Sequence, residues 1–183
     1  MFPNTTPEKI WFEIGFGQGE HLRARLAQRP QDAFIGAEPF INGVSNLLAH
    51  LPDGPCNNLR VFMDDALFLL DTFADQTLDG LYLLNPDPWP KKKHHKRRIV
   101  NTGNLDLFAR VLKPGAPFIM STDVAELADW MITHTVNHGA FDWTAESKAD
   151  WTTPPADWPL TTKYMAKGLR EGRSPHFLVF TRK

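Results

Sequence analysis

The sequence predicts a doubly wound α/β sheet within a single domain. Three observations carry that prediction. Apolar strand-like runs alternate with amphipathic helical stretches from residue 10 onward, five such pairs follow in succession, and glycines and carboxylates gather just after the strand-like runs. A chain of 183 residues is long enough for one sizeable core.

In chain order, Ile10–Ile14 reads as the first strand, followed by the turn Gly15-Phe16-Gly17-Gln18-Gly19. Glu20–Gln28 reads as a helix, with Leu22 and Leu26 one turn apart and Pro30 beyond its end. Ala33–Ala37 is a short apolar strand closed by Glu38. Residues 40–51 form an amphipathic helix with Val44, Leu47, Leu48 and Leu51 on one face, and Pro52-Asp53-Gly54-Pro55 turns the chain. Residues 59–63 are a third strand ending at Asp64 and Asp65; residues 66–73 a short helix; residues 78–84 a fourth strand. In the sequence Asn85-Pro86-Asp87-Pro88-Trp89-Pro90, three prolines forbid a helix and stiffen the corner. Asn101 or Thr102 caps a helix carrying Leu105, Phe108 and Leu112, which Lys113-Pro114-Gly115 ends. Residues 116–121 are a fifth strand leading to Thr122 and Asp123. Residues 125–137 are helical, with Leu127, Trp130 and Met131 inward. Phe141–Trp143 and residues 177–181 read as further strands, and residues 151–163, rich in Trp, Thr and Pro, as a loop.

Composition narrows the class. The hydrophobic share of 42% and charged share of 22% are those of a globular protein. Net charge is −1, but residues 91–98 carry six of the 20 lysines and arginines, leaving 14 against 21 acidic residues, or −7, elsewhere. The basic run is a local feature on an acidic body. Cys56 is the one cysteine, so no intramolecular disulfide and no cysteine metal cluster are expected. No apolar run approaches a membrane span, and the N-terminus lacks a signal-peptide pattern. A cytoplasmic location, no membrane contact and no metal are therefore expected.

A doubly wound sheet binds ligands at the carboxyl ends of its strands, where the winding reverses. In the order 3-2-1-4-5 that point lies between the first and fourth strands, so the glycine turn and Asp87 face each other across it. The turn is G-x-G-x-G, with Glu20 where a dinucleotide motif wants its last glycine. Glu13 and Glu20 would both repel a pyrophosphate. A cationic, phosphate-free cofactor fits better, and S-adenosylmethionine is one. Gly15, Gly17 and Gly19 would let the backbone approach it. Glu38, ending the second strand, holds the place of a ribose-binding acid, though an acid near a helix start reads the same way. One of Asp64 and Asp65 is placed for an adenine amine and the other for a helix cap, with Asp65 the choice for adenine. Asp87, between two prolines at the reversal point, is the candidate for contact with the reacting group. The run at 91–98 points to nucleic-acid phosphates. Trp89 stacks on a base or packs under the loop. His94 and His95 have no partners at metal-ligand spacing and read as polar or RNA-facing.

Together, Glu13 through Gly19, Gly36-Ala37-Glu38, the stretch from Pro86 to Arg98, Leu112-Lys113-Pro114-Gly115 with Thr122-Asp123, and Thr162-Lys163-Tyr164 resemble the bacterial tRNA (guanine-N7-)-methyltransferases. The resemblance runs from about residue 10 to the end, and its most specific part is the proline corner with its basic run. It implies a Rossmann-like class I methyltransferase fold with a mostly parallel seven-stranded sheet and helices on both faces. It also implies S-adenosylmethionine as cofactor and 7-methylguanosine in the tRNA variable loop as product. Carried over by position, it puts cofactor contacts at Glu13, Glu38, Asp65 and Asp87, with Asp87 also catalytic. Substrate contacts fall at Lys91, Asp123, Thr162, Lys163, Tyr164 and Met165. The chain departs from the family in having Met165 where a glutamate is usual, Lys93 where arginine is common, and twelve residues before Glu13 where several tens are usual. The expected layout is one methyltransferase domain over residues 1–183, with a short arm at 1–9 and a basic substrate loop at 85–100. The expected assembly is a monomer or weak homodimer. Three rival readings remain: an amino-methyltransferase, a dinucleotide oxidoreductase on the same fold, and a non-catalytic RNA-binding relative. Amino-methyltransferases carry Asn-Pro-Pro-aromatic at the corner, and Asp87 interrupts that spacing here.

Overall fold

The structure is a computed structural model and describes residue 2 and residues 6–52, 56–158 and 163–183, without the side chains of Lys163 and Tyr164. Seven strands join one sheet in the order β3-β2-β1-β4-β5-β7-β6. They are β1 (Ile10–Ile14), β2 (Ala33–Ala37), β3 (Leu59–Phe62), β4 (Gly80–Leu84), β5 (Pro117–Thr122), β6 (Phe141–Trp143) and β7 (His176–Arg182). The first five are parallel, and β7 runs antiparallel between β5 and β6. The helices are α1 (Glu20–Gln28), α2 (Ile41–Ala49), α3 (Ala66–Asp71), α4 (Thr102–Val111), α5 (Ala125–His138), α6 (Ala149–Thr152) and α7 (Lys163–Arg170). The expected winding reversal between β1 and β4 is present, because β1 pairs with β2 on one side and β4 on the other.

Strand alternation divides the core between the two faces of the sheet. Phe12 and Ile14 of β1 join Leu81, Leu83, Phe108, Phe118 and Met120 in one apolar cluster. Trp11 packs on the opposite face with Phe16, Leu22, Leu47 and Tyr82. Glu13 stands opposite Gly36 and Tyr82 in the ladders, so it shares the second face with Trp11, toward α1. Ile14 pairs with both Ala37 and Leu83, which brings Gly15, Glu38 and the proline corner to one level at the carboxyl edge.

Several elements differ from the sequence reading. Helix α2 begins at Ile41, because Phe40 is an extended N-cap residue, and ends at Ala49. Helix α3 stops at Asp71. Strand β4 begins at Gly80, while Leu78 makes only an isolated bridge to Leu112. The expected loop over 151–163 contains the end of α6 and the first residue of α7. Asn101 is the cap of α4, its side chain accepting from Asn104 N at 3.1 Å. Within the expected basic loop, Lys92–Arg97 forms a 3-10 helix.

Candidate active site

A cavity of about 680 Å³ opens at the carboxyl edge, between the glycine turn and the proline corner. Glu13, Gly15, Gly17, Glu38, Asp65 and Asp87 all line it. It carries six carboxylates, those of Glu13, Glu20, Glu38, Asp64, Asp65 and Asp87, against one guanidinium, Arg97. Such a field favours a cation and opposes a diphosphate.

The glycine turn needs its glycines. Gly15, Gly17 and Gly19 have φ of 65°, 56° and 74°, in the left-handed region where a Cβ is strained. Gly19 is the N-cap of α1 and does not line the cavity. Glu38, 5% exposed, ties the turn to the next unit. Its Oε2 accepts from Gly17 N at 2.9 Å and its Oε1 from Phe40 N at 3.0 Å. The carboxylate thus serves the helix start and the cavity together. Behind it Gly43 lets two backbones touch, since a Cβ there would lie 2.3 Å from Gly17 O and 3.0 Å from Glu38 Cγ. Gly43→Ala is expected to destabilise the protein by about 1–3 kcal/mol, read as a lower urea midpoint, because a backbone oxygen must move.

Glu13 is 3% exposed and its Oε2 lies 2.8 Å from His21 Nδ1. Asp65 caps α3, accepting from Leu67 N at 2.9 Å, and Asp64 accepts from Asp65 N at 2.8 Å. The division of labour expected between these two is therefore corrected. The residue chosen for adenine is the helix cap, because only its carboxylate lies one residue before Ala66 in extended backbone, and it lines the cavity as well.

The proline corner is strained. Asn85 and Trp89 have φ of 49° and 42°, and a left-handed bulky residue such as Trp89 costs on the order of 1–3 kcal/mol. Arg98 holds the corner in place. It is 2% exposed, its Nε donates to Pro88 O at 2.9 Å, its Nη2 donates to Glu126 Oε1 at 2.8 Å, and it stacks 4.7 Å from the Trp130 ring. That hydrogen bond to Arg98 holds the Glu126 carboxyl below the usual carboxylate range. Asp87 is exposed and makes no hydrogen bond among the described residues. Trp89 borders the cavity, with Arg97 4.9 Å from its ring and the His94 edge at 5.8 Å.

The basic run divides. Lys91, Lys92, Lys93, Lys96 and Arg97 are exposed and take no part in an ion pair among the described residues. Arg98 is internal, and His95 packs 5.3 Å from Trp130 and 3.5 Å from Glu126, so neither faces outward as a substrate contact would. The burial of Arg98 and the partial burial of His95 follow from Trp130 and Glu126 on α5, which the run itself does not announce.

Asp123 and Met165 do not line the cavity. Asp123, at the end of β5, is 16% exposed and accepts from Arg173 Nε at 2.9 Å. Arg173 also pairs with Glu171, and these bonds, Asp123 first, raise the guanidinium's pKa. Met165 is 5% exposed within α7. Thr162 lies outside the described residues, and Lys163 and Tyr164 open α7 without described side chains.

The sequence reading passed over His21, Tyr82, Asp157 and Trp158. His21 sits edge-on to Tyr82 at 4.7 Å and 5.2 Å from Trp158. Burial raises the Tyr82 phenol far above its usual pKa, so the ring acts as a wall. Burial alone would raise the Asp157 carboxyl too, but hydrogen bonds and charge from Arg25 and Arg29 outweigh it and hold the group low. Position held a signal only for His21, which lies two residues past the last glycine, in the first turn of a helix facing Glu13.

A family model described as "Putative methyltransferase" matches residues 7–178. The chain is 48% identical over 182 residues to a protein of Rhizobium meliloti (strain 1021) named tRNA (guanine-N(7)-)-methyltransferase, covering 100% of this chain and 78% of that protein. A protein of the same name from Brucella melitensis biotype 1 is 49% identical over 176 residues, covering 96% and 75%. Among solved structures, an antibiotic-related methyltransferase superposes with a TM-score of 0.64 at 16% identity, covering 97% of this chain and 89% of that one. The aminoglycoside resistance methyltransferase NpmB1 superposes at 0.63 and 14% identity, with the same coverage of 97% and 89%. These two likenesses establish the class I fold, and the sequence identities establish more: this chain belongs to the tRNA (guanine-N(7)-)-methyltransferase family.

Proposed function

We propose that the chain methylates N7 of a guanine in the variable loop of tRNA, with S-adenosylmethionine as donor, to give 7-methylguanosine. The observation that carries this reading is one cavity edge bearing both an acidic ligand wall and the Asp87–Trp89 corner, with five exposed cations following directly in the chain. S-adenosylmethionine fits the wall because its net charge is positive and it carries no phosphate. When bound it supplies an electrophilic methyl group on sulfur. Glu13 takes the α-ammonium, since its Oε1 has no hydrogen-bond partner among the described residues. Glu38 takes ribose hydroxyls with the lone pairs left beside its two backbone bonds. Asp65, with one oxygen on its cap, faces the adenine end.

Guanine N7 already holds a lone pair, so no proton leaves before transfer and no strong base is needed. The purine becomes cationic as the bond forms. Asp87 stabilises that charge, and Trp89 offers the base a ring face. Lys91, Lys92, Lys93, Lys96 and Arg97 hold tRNA phosphates and bring the base to the corner. Asp123 and residues 162–165 contact the substrate. Residues 1–183 act as one methyltransferase domain, in the cytoplasm where tRNA is modified, as a monomer or weak homodimer. No helix among the described residues is long and apolar enough to cross a membrane, and no described group of three or more His, Cys, Asp or Glu is placed to hold a metal.

The test incubates the protein with methyl-labelled S-adenosylmethionine and bulk tRNA, then maps the product by chemical cleavage at 7-methylguanosine. Label at a single variable-loop guanine is expected. Label on an exocyclic amine would establish the amino-methyltransferase instead, and tRNA binding without label would establish a non-catalytic relative.

A further inference from the structure

We infer that His21 is a positioning residue for the cofactor: it fixes the Glu13 carboxylate so that one oxygen is held and the other is presented to the α-ammonium. The inference rests on the cofactor reading above and adds a residue to it.

Glu13 and His21, at 3% and 2% exposure, are both more deeply buried than Glu38. The alternation of β1 turns Glu13 toward α1, and the first turn of α1 brings His21 Nδ1 to 2.8 Å from Glu13 Oε2. The other ring nitrogen, Nε2, is sealed from solvent and has no hydrogen-bond partner among the described residues. Among the described residues, the ring's one polar contact is therefore Glu13. With no donor near Nε2 and an acceptor at Nδ1, the arrangement corresponds to the Nδ1–H tautomer donating to the carboxylate.

Packing holds the imidazole from several sides. Tyr82 meets it edge-on at 4.7 Å, and Trp158 covers it at 5.2 Å. Trp158 is braced by Phe177 at 5.0 Å. The residue before it, Asp157, is clamped by Arg25 and Arg29 of the α1 region, each at 2.9 Å. A glutamate on its own samples many rotamers. One whose Oε2 is held by a ring that cannot turn presents Oε1 in a single direction, and this lowers the ordering cost of gripping an ammonium.

The test compares two ligands that differ in the amino-acid end. S-adenosylhomocysteine carries the α-ammonium, and 5′-methylthioadenosine lacks it. Both are titrated calorimetrically into the wild type, His21→Leu and His21→Asn. His21→Leu should weaken S-adenosylhomocysteine about tenfold, the scale of one lost charge-assisted hydrogen bond, and leave methylthioadenosine within about twofold. His21→Asn, whose amide N–H replaces the donor, should return S-adenosylhomocysteine to within about threefold of wild type. Equal weakening of both ligands, unchanged binding of S-adenosylhomocysteine, or failure of asparagine to restore it would each overturn the inference. A wild type that binds neither ligand would instead overturn the cofactor reading, before any substitution is made.

Discussion

Asp87→Ala is expected to slow methyl transfer by about 10²–10³-fold, the usual scale for removing one preorganised charge from a site, and to change tRNA affinity less than about threefold. The separation follows from the placement of charge. Asp87 is an anion on a surface meant for a polyanion, so it contributes nothing favourable to phosphate binding. Affinity falls to the exposed cations at 91–97, which take no part in an ion pair among the described residues. The carboxylate matters once the purine turns positive, and docking of the base removes the water that screens it. Single-turnover rates at saturating enzyme, set beside filter-binding affinities, measure the two effects independently. Equal losses in rate and affinity would show that Asp87 holds substrate and does not stabilise charge.

Arg98→Met should cost about 2–3 kcal/mol in a urea unfolding curve, where a substitution among the exposed lysines costs less than about 0.5 kcal/mol. Methionine fills most of the volume and buries no charge, so the loss isolates what the guanidinium does. The Pro88 carbonyl loses its donor and Glu126 its partner. Because Pro88 follows Asp87 directly, the same change should lower the transfer rate at least about tenfold, since small displacements of reacting groups are costly. Arg98→Lys should recover only part of both, having no fork to reach Pro88 and Glu126 together. The pH dependence has a definite sign. The folded Glu126 pKa lies below its unfolded value, so its stabilising effect is complete above the ordinary carboxylate range and is lost as pH falls through the lowered value. Arg98→Met should remove most of that acid dependence, leaving the smaller part that comes from His95. Glu126 is largely exposed, so the effect is a small part of the total.

Much of this architecture is written plainly in the chain. The bounds of β1, β2, α1 and β6 agree with the reading from residue pattern; β2, for one, is an apolar run closed by Asp32 on one side and Glu38 on the other. The meeting of Glu13, Glu38 and Asp87 follows from strand order alone. What escaped depended on distant partners. Arg98 looks like five neighbouring cations until Glu126, 28 residues away, is folded beside it. His21 faces Glu13 across a strand, a turn and the start of a helix, each easy to read alone and hard to combine. Helix α7 was hidden by the Thr- and Pro-rich residues preceding it, and the 3-10 helix by a composition with no apolar period to detect.

The 3-10 helix has one more consequence. His94 N bonds to Lys91 O at its start, Arg98 N to His95 O at its end, and Arg98 is locked to Pro88. The lysines therefore do not hang from a tail. They ride on a short stiff arm whose far end is the corner bearing Asp87, and side chains three apart on it, Lys93 and Lys96, line up one above the other. Such an arm acts as a ruler. On the proposed function, it sets a fixed offset between the phosphates it would grip and the base it would deliver at the Asp87 corner.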